Sequence, residues 1–151
     1  MNSSHRIWTY YTNQTIHHLC KNDLVTNITN EYVFFNRSYC SDAFKKHTDR
    51  MEGMFNEELK AVMYVGPLGG GATTNETLLF FSATLSCGVF YVRKFQDHHH
   101  WYELRFKDSA GTGNPDTECV QYFEGITSTF SLLYNSTCKE IFPPRVSIQR
   151  K

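Results

Sequence analysis

The feature that most constrains this chain is a repeated rhythm: short segments rich in Tyr, Phe, Val and Thr, separated by Asn, Asp, Gly and Ser. β-Branched and aromatic side chains suit a pleated, half-buried surface, and the spacers are residues that turns use, so each segment reads as a strand. Strands are expected near 7–12, 15–20, 31–36, 55–65, 77–84, 88–95 and 101–107. The stretch Gly66-Pro67-Leu68-Gly69-Gly70-Gly71 reads as a loop, because Pro removes a ladder donor and Gly weakens a strand interior. One segment breaks the rhythm. Asn114 as N-cap, Pro115 at the first helical position, Asp116 and Glu118 in the first turn and Gly125 at the end predict a helix. Its apolar residues Cys119, Val120, Tyr122, Phe123 and Ile126 fall at three- and four-residue spacings, which gives one face to pack outside a sheet. Residues 127–134 are read as a returning extended segment that ends at Cys138. Seven or eight strands followed by a late helix suit an eight-stranded antiparallel up-and-down barrel or a β-sandwich, and the pattern alone favours neither.

With 151 residues the chain is expected to form a single domain over 1–151, with a mobile tail from about 143, where Arg145, Arg150 and Lys151 follow Pro143-Pro144. Fifteen basic residues balance fifteen acidic ones, which leaves no electrostatic footprint for nucleic acid or an anionic membrane surface. The longest apolar run, Leu78-Leu79-Phe80-Phe81, is far too short to span a bilayer. Six Asn-x-Ser/Thr sequons occur, at Asn2, Asn13, Asn27, Asn36, Asn75 and Asn135. Chance would give about two, so the excess points to a glycosylated chain. Five cysteines in a short chain fit an oxidising compartment, with pairs bridged and one thiol left over. The expectation is the mature part of a secreted, monomeric protein.

No nucleophile elbow, His-Glu-x-x-His or phosphate loop is present, so no enzyme activity and no cofactor are expected. His98-His99-His100 invites a metal reading, but three consecutive residues beside a strand cannot all point one way. An exposed hairpin is the simpler reading, and no metal is expected.

The stretch Cys87-Gly88-Val89-Phe90-Tyr91-Val92, then Tyr102-Glu103-Leu104, then Cys119 opening a helix with Phe123, resembles the signature of tick salivary lipocalins, which runs Cys-Asp-Val, Glu-Leu-Trp, Cys. Glu31-Tyr32-Val33-Phe34-Phe35-Asn36 and Ala61-Val62-Met63-Tyr64 are similar to the family's middle strands. Within the family the chain is most similar to the japanin group, glycosylated lipocalins that modulate host dendritic cells and hold cholesterol. The resemblance implies a lipocalin barrel with one late helix packed outside. It also implies bridges Cys20–Cys138 and Cys87–Cys119 with Cys40 free, whereas the sequence alone leaves fifteen ways to make two pairs from five cysteines.

Departures from the family bear on the ligand. Amine-binding members place carboxylates inside the barrel, because a buried ammonium needs a charge partner. Here the acid after the motif Cys is Gly88, a second acidic lining position becomes Leu78, and the Trp of Glu-Leu-Trp is Arg105. Glu57 and Glu103 remain at positions similar to the other amine pocket. Strand alternation puts Phe55, Leu59 and Met63 on the face of Glu57, Phe80 on that of Leu78, Phe90 and Val92 on that of Gly88, and Trp101 and Arg105 beside Glu103. Such a lining suits a sterol such as cholesterol, or a fatty acid, anchored through one polar group. Three functions are therefore carried forward. They are an apolar-ligand carrier acting on host immune cells through an unidentified surface protein, an amine (histamine) scavenger, and an immune-modulating protein-binding module whose outer surface is the active part, with the barrel empty.

Overall fold

A computed structural model describes residues 5–15, 18–41 and 45–143. Asn2 and the tail beyond Pro143 lie outside the described residues, as does the middle of the strand expected over 15–20. The elements are β1 (Ile7–Thr12), β2 (Leu19–Ile28), β3 (Tyr32–Cys40), β4 (Lys46–Phe55), β5 (Val62–Pro67), β6 (Thr74–Phe81), β7 (Cys87–Lys94), β8 (His100–Lys107), α1 (Thr117–Ile126), β9 (Ser131–Leu132) and α2 (Cys138–Ile141).

Each strand from β2 to β8 pairs antiparallel with its sequence neighbours, and β1 closes the sheet by pairing with β8 on one side and β2 on the other. The result is the expected eight-stranded up-and-down barrel, with no open edge between first and last strand. β1 pairs with β2 through Ile7 and Trp8 only. Further along, β9 fills the gap: Tyr11 pairs with Leu132, and Leu133 O accepts the Cys20 N–H at 3.0 Å.

Several strand boundaries differ from expectation: β2 runs on to Ile28, β3 runs on to Cys40, and Gly66 and Pro67, expected in a loop, pair with β4 as the end of β5. The segment over 55–65 is not one strand. Phe55 ends β4, residues 56–61 form a loop, and Val62 begins β5. Asn56 makes the reversal, its Oδ1 accepting the backbone N–H groups of Glu58 and Leu59 at 2.9 and 2.8 Å. Nor did the strand pattern include β4, whose first half, Lys46-His47-Thr48-Asp49-Arg50, is polar and exposed. Its place is set by nine register pairs with β3. The glycine loop is confined to the β5–β6 connection, where Gly69 and Gly71 take φ of +75° and +78°.

The helix forms as expected, with Asp116 rather than Asn114 as its N-cap, and it runs through Gly125 to Ile126. Its buried residues, Cys119 and Phe123, face the barrel exterior, whereas Ile126 is exposed. One core therefore lies outside the barrel wall, between the strands, α1 and the C-terminal segment: Trp8, Val89, Leu104, Phe106, Phe123, Tyr134 and Phe142, with the cysteines. Aromatic edges knit it together, with Phe106 standing edge-on to Tyr10 at 5.4 Å and to Tyr134 at 5.2 Å. A second, smaller core is inside: Val33, Phe35 and Val65, with Val25, Met51, Phe55 and Met63 against them.

The structure carries both bridges implied by the resemblance, Cys20–Cys138 and Cys87–Cys119. They close long loops across 118 and 32 residues, which in the chain-entropy picture is worth about 3–5 kcal/mol each. Cys40 is free, but it is buried in the outer core rather than lying on the surface.

Candidate ligand-binding site: a charged lumen with an apolar mouth

Inward side chains follow from register. β8 turns Trp101, Glu103 and Arg105 into the lumen and Leu104 and Phe106 out to the helix, so all five are buried for opposite reasons. The structure brings Trp101, Glu103 and Arg105 together in one buried cluster.

What the strand pattern did not reveal is the company these residues keep. Glu103 accepts from Lys21 Nζ at 2.7 Å, Trp101 Nε1 at 2.7 Å and Arg105 Nε at 2.9 Å. Arg105 Nη2 lies 2.7 Å from Glu76 Oε1. Glu76 in turn accepts two hydrogen bonds from Arg37, at 3.0 and 3.2 Å, and one from Thr74 Oγ1 at 3.2 Å. Arg37 completes a bidentate pair with Asp23 at 2.8 and 3.0 Å. This chain of contacts crosses the lumen from β2 and β3 to β6 and β8. Lys21, Arg37 and Arg105 balance Asp23, Glu76 and Glu103, so the network carries no net formal charge.

The electrostatics follow from burial. Desolvation by itself would raise the Glu103 carboxyl, but Lys21 and Arg105 hold it far below the usual carboxylate range. Glu76 is likewise pushed up by burial and pulled well below its ordinary value by Arg105 and Arg37. Burial lowers Lys21, with Glu103 opposing it. Glu103 is thus not a vacant amine receptor, because Lys21, Trp101, Arg105 and Thr9 already donate to it.

Below the network, at the end of the barrel where β1 begins and β6 turns into β7, the lumen opens as an apolar mouth of about 370 Å³. Leu78, Phe90 and Ile7 form its walls, Phe81 and Leu85 its rim, and Arg105 its floor. The Arg105 guanidinium sits 4.3 Å over the Phe90 ring, a cation–π contact that holds the side chain in line with the mouth. Gly88 makes the space. A Cβ there would stand 2.9 Å from Leu78 Cδ1 and 3.2 Å from the Phe80 carbonyl oxygen. At the other end of the barrel the rings of His18, Tyr39 and His47 stack in series, at 4.1 and 4.9 Å.

The remaining expected lining residues divide. Leu78 and Phe90 meet at the mouth as register partners, and Val92 is buried opposite Trp101. Phe55 and Met63 face inward but belong to the second core, away from the mouth. Glu57 and Leu59 are corrections. Both stand exposed in the β4–β5 loop, because the chain reverses at Asn56 instead of continuing the strand. Glu57 borders a cavity of about 760 Å³ together with Glu31, Phe55, Glu58, Lys60 and Tyr64, and Leu59 does not line it. Phe80 is a correction too. A register shift between Leu78 and Phe80 turns it outward, where it stacks on Tyr122 of α1 at 4.7 Å. The residues that sequence reasoning missed are Lys21, Asp23, Arg37 and Glu76 in the network and Ile7, Phe81 and Leu85 at the mouth.

Of the sequons, Asn27 and Asn135 are exposed, and Asn36 and Asn75 are half-buried with Arg37 and Glu76, the middle residues of their motifs, turned inward. Asn13 is engaged in the fold, its Oδ1 accepting the Tyr102 N–H at 2.7 Å. Among the described residues no group of three His, Cys, Asp or Glu could hold a metal ion, and His98 and His99 are exposed between β7 and β8. No described helix is long and apolar enough to cross a membrane.

A closed eight-stranded antiparallel barrel, one added strand and a helix packed outside define the lipocalin fold. Solved structures agree. The chain is similar to lobster apocrustacyanin A1 (TM-score 0.62, 11% identity, 90% of this chain and 79% of that one). It is similar to the siderocalin Ex-FABP, described as functioning through dual ligand specificities (0.64, 9%, 99% and 97%). It is also similar to japanin from Rhipicephalus appendiculatus bound to cholesterol (0.60, 9%, 86% and 91%). No protein-family model matches the chain, and no curated protein matches it by sequence.

Proposed function

We propose that this protein is a secreted carrier of one small apolar molecule of the sterol class, seated in the mouth formed by Ile7, Leu78 and Phe90, and that its loaded form acts on host immune cells. The observation that carries the ligand reading is the mouth itself: about 370 Å³, walled mainly by aliphatic and aromatic side chains, with Arg105 and Lys107 as its charged lining residues. That volume is at the small end of ordinary ligand pockets, which enclose most of a ligand and place few polar groups. The cholesterol held by a fold neighbour supports the ligand class. Secretion is supported by two disulfides and the excess of sequons. Action on immune cells rests on the likeness to the japanin group.

The histamine reading loses its two acids, since Glu57 is exposed in a loop and Glu103 is occupied by Lys21 and Arg105. A protein-binding role is favoured by one observation. The outer face of β3–β5 presents Tyr32, Phe34, Met54 and Tyr64 around a shallow hollow, with Met54 43% exposed, and this face could serve the immune-cell partner. Calorimetric titration of delipidated protein decides between ligands. Saturable uptake of one cholesterol per chain with no histamine binding is expected, and tight histamine binding without sterol uptake would overturn the proposal.

A further inference from the structure

Asn135 opens the sequon Asn135-Ser136-Thr137 in the turn between β9 and α2, where it stands exposed. Its side chain is held in one orientation, Oδ1 accepting the Thr137 N–H at 3.0 Å and also the Thr137 hydroxyl. Among the described residues each side-chain hydrogen bond of Asn135 runs through Oδ1, so Nδ2, the atom that an N-linked glycan takes, is unengaged. The opposite holds at Asn13, whose Nδ2 donates to Thr127 and whose Oδ1 accepts from Tyr102.

The same residue lines a groove of about 430 Å³ on the outside of the barrel, within the size range of small-molecule sites. Tyr10 and Leu132 supply its apolar side, and Leu132 is 53% exposed. Thr112, Asn114 and Lys139 supply polar groups; Lys139 gives one N–H to Asp108 at 2.8 Å and keeps the others. This mixture suits a sugar, whose ring offers C–H groups on its faces and hydroxyls at its edge. Because the attachment atom belongs to the groove wall, a sugar joined there is held at a high effective concentration and needs little affinity of its own. What lies beneath matters to the fold. β9 fills the gap beside β1, with the Leu133 N–H donating to Tyr10 O at 2.9 Å and Leu133 O accepting from Cys20.

Resting on the secreted, glycosylated reading above, we propose that the N-glycan of Asn135 folds back into this groove, its first N-acetylglucosamine lying over Leu132 and Tyr10 and clamping β9 to the barrel. Protein secreted from eukaryotic cells is compared in three forms: intact, trimmed by an endoglycosidase to one sugar per site, and cleared by an N-glycosidase. The last step converts Asn135→Asp and keeps an oxygen to accept from Thr137. In the trimmed form, nuclear Overhauser contacts are expected from the Asn135-linked sugar to the Leu132 methyls and the Tyr10 ring. The Leu133 amide should exchange equally slowly in the intact and trimmed forms and about tenfold faster in the cleared one. Asn27→Gln, which removes a glycan from an exposed site elsewhere, should leave that amide as it was. An occupied Asn135 whose sugar touches neither Leu132 nor Tyr10, or a trimmed form already as loose as the cleared one, would overturn the clamp. Equal loosening in Asn27→Gln would overturn it as well, by showing that glycans shield this chain without regard to site. Secretion with a glycan at Asn27 and none at Asn135 would remove the Asn135 site alone, whereas no glycan at any sequon would remove the glycosylated reading on which the proposal rests.

Discussion

Replacing Glu103 by Gln tests the interior of this barrel most sharply. The carboxylate is fully buried and receives Lys21, Trp101 and Arg105 at 2.7, 2.7 and 2.9 Å. Gln keeps the shape but removes the charge, which leaves the ammonium of Lys21, a residue only 7% exposed, without its counter-ion. Breaking a buried pair from one side costs about 3–5 kcal/mol, and Arg105, which retains Glu76, adds little to this. For a chain of this size each kcal/mol lowers Tm by about 2–4 °C, so Tm should fall by roughly 6–20 °C. Replacing Lys21 by Met as well removes the orphaned charge, and the double variant should recover at least about half of the loss. Thermal and urea melts at pH 7 measure both. The reasoning also fixes a pH dependence. The folded-state pKa of Glu103 is depressed, so its contribution is fully present above the ordinary carboxyl value of 4.5 and is lost as pH falls below it. Glu76 behaves in the same way. Wild-type stability should therefore hold from pH 7 to about 5 and drop below about 4.5, and Glu103→Gln should flatten that drop. A loss under about 1 kcal/mol at pH 7, or a double variant no more stable than the single one, would mean that water reaches the network and the lumen is not dry.

Other outcomes follow from the same geometry. Phe80→Ala should cost about 2 kcal/mol by removing the stack on Tyr122 while leaving sterol affinity unchanged, whereas Leu78→Asp should abolish sterol binding; a fluorescent-sterol titration with parallel melts separates the two. Non-reducing peptide mapping should recover Cys20–Cys138 and Cys87–Cys119, and Cys40, buried in the outer core, should resist thiol reagents until the protein is unfolded, then titrate as one thiol. Secreted from eukaryotic cells, the protein should carry N-glycosidase-sensitive mass at Asn27 and Asn135, which are exposed, with Asn13 the poorest site because its amide is bound to Tyr102 and Thr127; site-resolved mass spectrometry checks this.

The barrel was legible because its aromatic and β-branched beats fall where a pleated wall needs them, and because the helix carries its own punctuation from Pro115 to Gly125. β4 was not legible. Its first half is polar, and its strand state is imposed by pairing with β3 and β5 rather than by its own pattern. The loop at 56–61 was hidden by an accident of alternation, since Phe55, Leu59 and Met63 keep a strand period through a segment that turns. Asn56 followed by two glutamates was the available signal, an Asx-type reversal. Phe80 was misplaced because one bulge after Leu78 exchanges inside for outside, and nothing local marks it. The ion network escaped notice for a different reason. Asp23, Arg37 and Glu76 look like solvated strand residues until register brings Asp23 opposite Arg37 and the closed barrel brings Arg37 to Glu76.

The seat of the ligand can be observed directly by methyl NMR of the protein titrated with cholesterol. Ile7, Leu78 and Leu85, which line the mouth, should shift strongly, while Val33 and Val65, packed in the inner core away from it, should not. Shifts centred on Val33 and Val65 with Leu78 and Leu85 unmoved would place the ligand in the mid-lumen, across the ion pairs of Arg37 and Glu76, and would contradict the binding site described above.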